Sequence, residues 1–242
     1  MTRFFVDQME GNRVHLNKED SHHLLRVMRA EPGTPFTVLA GGMQHECRLT
    51  EVENGYAVGE VVTSCPAAGE PPVHITLFQG LAKGEKLESV IQHGTEVGIS
   101  QFVPVASSRS VVKLEAGKAV ERVNRWQRIA REAAEQCRRG SMPQVLPVTP
   151  WREAAARSAQ FDLALVPWEE GGESLKTVLA DAGQVRSVAI FIGPEGGLSA
   201  EEVELARKHG ARPVTLGPRI LRTETAGLVA ATAILYALGD LG

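Results

Sequence analysis

Two common nucleotide fingerprints are missing from this sequence of 242 residues. No GxGxxG opens a helix and no GxxxxGK[ST] occurs, which excludes the usual dinucleotide and triphosphate sites. Cysteine is scarce. Cys47, Cys65 and Cys137 are odd in number and far apart, with no CxxC pair or Cys/His cluster. Neither a disulfide framework nor a zinc site is supported, and no metal is expected. Three reduced thiols point to a reducing compartment. The longest uncharged apolar run, Ala226 to Gly239, falls short of the roughly 20 residues of a membrane span. The opening MTRFFVDQMEGNRVHLNKED lacks the apolar core of a signal peptide, so a soluble cytoplasmic protein is expected. Aromatic residues make up only 5%, and any base-stacking platform would rest on few rings. Internal repeats and low-complexity tracts are also missing.

What is present is ordinary globular material, 43% apolar and 23% charged, enough for one large domain or two modest ones. A net charge of −3 argues against a strongly basic nucleic-acid binder, yet the charge is unevenly placed. Residues 1–72 hold six Lys/Arg against ten Asp/Glu, whereas residues 118–139 hold seven Lys/Arg against three Glu. A charge-sensitive partner would therefore dock locally.

The Pro/Gly content of CPAAGEPP, near Cys65–Pro72, reads as a linker. Before it, Asn17 can cap a helix running to about Arg29, with Asp20 in the capping-box position and Pro32-Gly33 as the stop. Strand-like runs follow at Phe36–Ala40, Glu46–Glu53 and Tyr56–Val62, with Gly41-Gly42 and Asn54-Gly55 as hairpin turns. Residues 1–65 read as a small β-rich barrel or roll with one helix. After the linker the rhythm alternates. Strands are expected at His74–Gln79, Gln101–Val105, Asp162–Val166, Val188–Ile192 and Pro213–Leu216. Helices are expected at Glu85–Val97 and Ala119–Arg138, after the Ser199 cap with Glu202 in its box position, and from Thr223 onward. This pattern predicts an α/β domain with a mainly parallel sheet.

Two stretches after apolar strands stand out: the run from Val188 to Gly197, VAIFIGPEGG, and that from Val214 to Ala226, VTLGPRILRTETA. Ligands of open α/β sheets bind outside the carboxyl ends of the strands. Glycines there let a backbone approach a ligand closely, and Pro194 and Pro218 stiffen the loops. Two tight structural turns would leave the same mark, so the loops alone do not fix a ligand.

GPEGG followed about twenty residues later by LGPRILRTETA resembles the paired signature of the SPOUT methyltransferases. More closely, it resembles the family that methylates N3 of a uridine in 16S ribosomal RNA. The similarity covers most of the chain. Arg3-Phe-Phe-Val6 and His23-Leu-Leu-Arg-Val-Met-Arg29 resemble that family's N-terminal PUA-like RNA-binding domain. Gly80-Leu-Ala-Lys83, the run Gln92 to Gly98, Arg109-Ser110 and Glu132 to Gln136 resemble catalytic-domain landmarks. Cys137-Arg138-Arg139-Gly140 departs from the pattern, which has a small residue or Gly before the final Arg. Either Arg138 or Arg139 holds the equivalent place.

The resemblance implies a PUA-like β-barrel over residues 1–70 and a SPOUT methyltransferase domain over 73–242, with a trefoil knot that physical priors would deny. It implies a homodimer sharing the site, S-adenosylmethionine as cofactor, and uridine 1498 of 16S ribosomal RNA, within the small subunit, as target. Cofactor contacts are expected at Leu165, Ile192, Gly193, Pro194, Glu195, Gly196 and Gly197. The second loop would add Leu216, Gly217, Arg219, Ile220, Leu221, Arg222 and Thr225.

Methyl transfer from a sulfonium needs alignment and a desolvated site, and no metal. The N3 proton must leave, so a base or stabilisation of the uridine anion is needed. Arg222 could stabilise charge on O2 or O4, and Glu224 could accept the proton, although the two could equally be a helix-start ion pair. Glu88, Gln92 and Glu96 share one helical face, which reads either as a solvated polar face or, at Glu96, as a catalytic position. For RNA, the expected contacts are Arg3, His23, Arg26, Arg29, Lys83, Arg109, Arg125, Arg138 and Arg139. Arg122 belongs with Arg125, whereas Arg128–Glu132 and Arg131–Glu135 have the spacing of internal pairs. Two other readings carry less weight: a non-catalytic RNA-binding assembly factor on the same fold, and a nucleotide-binding α/β enzyme acting on a small metabolite.

Overall fold

The structure is a computed structural model that describes residues 2–6, 9–112 and 115–241. The chain divides into two compact units, one of residues 1–70 and 134–142, the other of residues 71–133 and 143–242.

The first unit contains β1 (Arg3–Phe5), β2 (Arg13–His15), α1 (Lys18–His22), β3 (Pro35–Ala40), β4 (Met43–Glu53) and β5 (Tyr56–Pro66). Its strands form one mixed sheet in the order β1-β3-β4-β5-β2. Both glycine-containing turns fall where the sequence places them. Gly41 and Gly42 have φ of 57° and 75°, Asn54 and Gly55 of 51° and 87°, and each joins directly paired residues, Ala40 with Met43 and Glu53 with Tyr56. Positive φ at both central residues is the twist-matched hairpin geometry. Phe4, Leu16, Leu24, Phe36, Val38 and Leu49 fill the core beneath.

Three local expectations change. Asn17 caps α1 through the Asp20 N–H at 2.9 Å, but the Asp20 carboxylate takes the Asn17 side-chain amide rather than its backbone N–H. The helix then widens into a π-helical turn, His23–Val27. It ends near Arg29, as expected, but the stop is Arg29 itself, at φ 54°, rather than Pro32-Gly33. The segment read as linker from Cys65 begins as strand, because Cys65 and Pro66 still pair with Gln44 and Met43.

Glu70 staples this unit together. Its carboxylate accepts Arg139 Nε at 2.9 Å, Arg139 Nη2 at 2.7 Å and the N–H groups of Gly140 and Ser141 at 2.9 and 3.0 Å. Burial pushes the Glu70 carboxyl up, but the bonds from Arg139 and Ser141 and the Arg139 charge outweigh it and hold it below the usual value. A depressed folded value means the stabilisation is complete above the unfolded carboxylate pKa of about 4.3 and is lost as pH falls through the folded one. Arg139→Met should therefore cost about 2 kcal/mol near neutral pH. That is less than for a fully buried pair, because Glu70 is 30% exposed. The deficit should shrink on acidification, which urea unfolding at several pH values measures.

The second unit is built on β6 (His74–Gly80), α2 (Lys86–Val97), β7 (Gln101–Ala106), α3 (Ala116–Gln136), β8 (Gln144–Val145) and β9 (Thr149–Pro150). It continues with α4 (Trp151–Ala156), β10 (Leu163–Pro167), β11 (Glu173–Ser174), α5 (Leu175–Asp181), β12 (Ser187–Ile192), α6 (Ala200–Lys208), β13 (Arg212–Thr215) and α7 (Thr223–Ala237). The last turn of α3 groups with the first unit. The sheet order is β11-β13-β10-β12-β6-β7-β8, with β9 also pairing β7, and every pairing among the described residues is parallel.

Period-two alternation sends successive residues of the central strands to opposite faces, and both faces are covered. Ile75 and Leu77 of β6, Leu163 and Leu165 of β10, and Val188 and Ile190 of β12 enter one core with α2 and α7. Phe78, Ala164, Val166, Ala189 and Phe191 enter another with α4 and α6, where Phe78 stacks on Phe191 at 4.3 Å. The Ser199 capping box forms in full. Helices α4 and α5 leave no signal in the sequence. They have six and seven residues and no side-chain cap bond, too little for a helical period to show.

Candidate active site

The parallel sheet sends the loops after β10, β12 and β13 to one end, where they enclose a pocket of about 450 Å³, within the ~300–1,000 Å³ of small-molecule sites. Its walls are Pro167, Trp168 and Glu169 from the first loop and Ile192 to Glu195 with Gly197 and Leu198 from the second. Thr215 to Glu224, Ala226 and Lys86 complete it. The strands bearing the two motif loops are not neighbours, since β10 lies between β12 and β13. The loop after β10 is therefore a third wall that the motif pair does not announce. Applying the carboxyl-end rule to every strand would have flagged Trp168 and Glu169.

The loops are fastened by a residue not singled out from the sequence. Thr223, first in α7, donates its hydroxyl hydrogen to the Gly193 carbonyl at 2.6 Å and accepts from Gln79 Nε2 at 2.8 Å. Close approach does the rest. A Cβ on Gly80 would overlap the Pro194 nitrogen and lie 2.7 Å from the Gly193 carbonyl carbon; one on Gly193 would lie 2.8 Å from the Gly197 carbonyl carbon. Glycine is needed at both positions for packing.

Of the expected cofactor contacts, Ile192, Gly193, Pro194, Glu195, Gly197, Leu216, Gly217, Arg219, Ile220, Leu221 and Arg222 line the pocket. Three do not. Leu165 is fully buried in β10 and packs in the core, two residues short of the mouth. Gly196 turns away, its carbonyl accepting Arg109 Nη1 at 3.1 Å. Thr225 is exposed in the first turn of α7, outside the lining.

The charged groups gather at one side. Glu195 accepts the Lys83 N–H and Lys86 Nζ, each at 3.0 Å. Burial raises its carboxyl, but these bonds, one from its own backbone and the Lys86 charge bring it below the usual value. Lys86 Nζ also stands 3.8 Å from Glu224 Oε2, and Arg222 Nη1 lies 4.0 Å from Glu224 Oε1 with its side chain 85% exposed. Glu96 is not part of this group. It is ten residues beyond Lys86 on α2, about 15 Å along the axis, and exposed. Two buried polar atoms of lining residues, Trp168 Nε1 and Glu224 Oε2, have no hydrogen-bond partner among the described residues. Such atoms suit a polar ligand.

The expected RNA contacts are dispersed. His23, Arg26 and Arg29 are exposed on and after the π-helical turn. Arg3 reaches the Arg138 carbonyl at 3.1 Å and Gln44 at 3.0 Å. Lys83 is exposed beside the pocket loops, Arg109 braces the Gly196 and Leu198 carbonyls, and Arg125 pairs with Glu88 at 2.7 Å. Arg139 leaves the RNA-facing set: its side chain is 4% exposed against Glu70. Arg138 is the exposed member, at φ 63°. The Arg139 N–H returns to the Ala134 carbonyl at 2.9 Å, so Arg138 fills the left-handed position after a helix where Gly is the rule. That accounts for the departure noted at Cys137 to Gly140. No helix among the described residues is long and apolar enough to cross a membrane, and no metal-binding cluster occurs among them.

Residues 69–235 match the family model for the RNA methyltransferase domain. The ribosomal RNA small subunit methyltransferase E of Bacillus subtilis is 35% identical over 98% of this chain and 96% of its own length. The protein of that name from Synechocystis is 34% identical over 94% of this chain and 74% of its own. Among solved structures, the Neisseria gonorrhoeae ribosomal RNA small subunit methyltransferase E bound to S-adenosyl methionine superposes with a TM-score of 0.87. It is 32% identical, with both chains fully covered. Similarity that runs end to end, in sequence and in backbone, embraces the loops that wall the pocket, and the chain belongs to the ribosomal RNA small subunit methyltransferase E family of RNA methyltransferases.

Proposed function

We propose that this protein transfers the methyl group of S-adenosylmethionine to N3 of a uridine, uridine 1498, in 16S ribosomal RNA of the small subunit. The observation that carries this reading is the three-walled pocket at the carboxyl ends of β10, β12 and β13. It is glycine-lined, apolar along Ile192, Leu216 and Leu221, and rimmed by carboxylates facing cations. The donor carries its methyl on a sulfonium, so an N3–CH₃ bond replaces the S–CH₃ bond, a neutral thioether leaves, and the N3 proton must be taken up by the protein.

The loops hold the donor through backbone N–H and C=O groups fixed by Thr223 and Pro194, and the site works by alignment and exclusion of water. Glu224 accepts the N3 proton. Its Oε2 is buried, accepts no hydrogen bond among the described residues and faces the pocket wall beside Lys86. Arg222, long and exposed, folds over the incoming base to balance charge developing on O2 or O4. Arg222→Ala should lower the rate of transfer by roughly 100-fold or more on that principle, leaving the oligomeric state unchanged in sedimentation.

Residues 1–70 act as a PUA-like RNA-binding barrel and 73–242 as a SPOUT domain whose C-terminal segment is knotted around the donor. A homodimer shares the site. His23, Arg26, Arg29, Lys83, Arg109, Arg125 and Arg138 are the RNA contacts, with Arg3 buttressing Arg138, and the ribosomal substrate places the enzyme in the cytoplasm. The test mixes purified protein, labelled S-adenosylmethionine and small subunits lacking the mark, then maps the product. Label at uracil N3 is expected, and label elsewhere or none would overturn the assignment.

A further inference from the structure

The position of Lys86 breaks a local rule. It is the first residue of α2, where the helix dipole repels cations and favours carboxylates, and the nearest first-turn carboxylate, Glu88, is taken by Arg125 at 2.7 Å. Rule-breaking residues of this kind tend to mark functional positions. Lys86 is kept there by two carboxylates from different walls of the pocket, Glu195 of the β12 loop at 3.0 Å and Glu224 of α7 at 3.8 Å. Its side chain is 37% exposed, far less than that of Arg222 at 85%, so it is the more enclosed positive charge beside Glu224.

We infer that Lys86 is a positioning residue for methyl transfer, bridging Glu195 to Glu224 so that the proton acceptor stands at a fixed place on the pocket wall. The inference rests on the proposed role of Glu224. Glu195 is itself anchored by the Lys83 N–H, and Gly80 brings that same connection against Pro194. The bridge thus ties Glu224 to the framework of the β12 loop. Without Lys86, Glu195 and Glu224 lose the cation between them, and Glu224 loses its defined orientation.

The test compares Lys86→Met and Lys86→Arg with the wild type in the full protein, using single-turnover transfer to small subunits and calorimetry with S-adenosylmethionine. Lys86→Met should lower the transfer rate by about 10- to 100-fold, the scale of misplacing a reacting group. Its donor affinity should stay within about threefold of the wild type. Lys86→Arg, which keeps the charge, should recover to within about fivefold. In a Glu224→Gln background, Lys86→Met should cause no additional loss, because the two act as one unit.

Full transfer by Lys86→Met would overturn the inference, as would an independent, full-sized loss in the Glu224→Gln background. A donor affinity weakened beyond about tenfold with the rate preserved would also overturn it, making Lys86 a donor contact. A wild type that fails to methylate RNA instead sinks the proposed function, so the two failures are distinguishable.

Discussion

Gly80→Ala should weaken S-adenosylmethionine binding by about 10- to 100-fold, although Gly80 is not part of the pocket lining. The added Cβ would overlap the Pro194 nitrogen and crowd the Gly193 carbonyl carbon. Both are backbone atoms and cannot swing aside like a side-chain tip. Forcing a methyl into such a contact costs about 1–3 kcal/mol, and at ~1.4 kcal/mol per tenfold the loss appears in affinity if the loop itself grips the ligand. Displacing Gly193 also strains its 2.6 Å bond from Thr223, so the effect reaches two walls at once. Calorimetry gives the affinity, and thermal unfolding separates local displacement from general destabilisation. Affinity equal to the wild type would mean that the β12 loop is free to shift and does not define the donor site.

Glu224→Gln should reduce transfer by about 100- to 1,000-fold, the scale of losing a general base, while donor affinity stays within about threefold. The amide fills the same volume, so pocket shape is preserved, but it cannot take up the N3 proton. Single-turnover transfer to small subunits isolates the chemical step from RNA release. A loss confined to donor affinity would assign Glu224 to binding instead.

How much of this was legible from sequence depends on how local the signal is. Gly41-Gly42, Asn54-Gly55 and the Ser199 box are complete within four residues, and each appears in the structure as read. The parallel sheet was legible because buried strands such as Val188–Ile192 must be apolar on both faces. The order of strands was not. Placing β10 between β12 and β13 depends on pairings such as Leu165 with Ile190 and Val166 with Pro213, which no local pattern encodes, and so Trp168 and Glu169 went unnoticed. Leu165 lies outside the lining for a related reason: it is on the right strand, but a position two residues from the strand end packs in the core.

Arg138 and Arg139 could not be separated in sequence because both are cations at a helix end. The left-handed turn at Arg138 decides which one Glu70 buries. Lys86 did leave a trace, a cation in the first turn of a helix, but its two carboxylate partners are 109 and 138 residues away. Thr223 was visible as a helix start, whereas its bond to Gly193 spans 30 residues.

The measurement that bears most directly on the central claim is a crystal structure of the protein grown with saturating S-adenosylmethionine. The account predicts the donor enclosed by Trp168, Gly193, Leu216 and Leu221, with its methyl directed towards Glu224 and Arg222. A donor bound elsewhere, with the loops after β10, β12 and β13 making no contact to it, would contradict the account at its foundation.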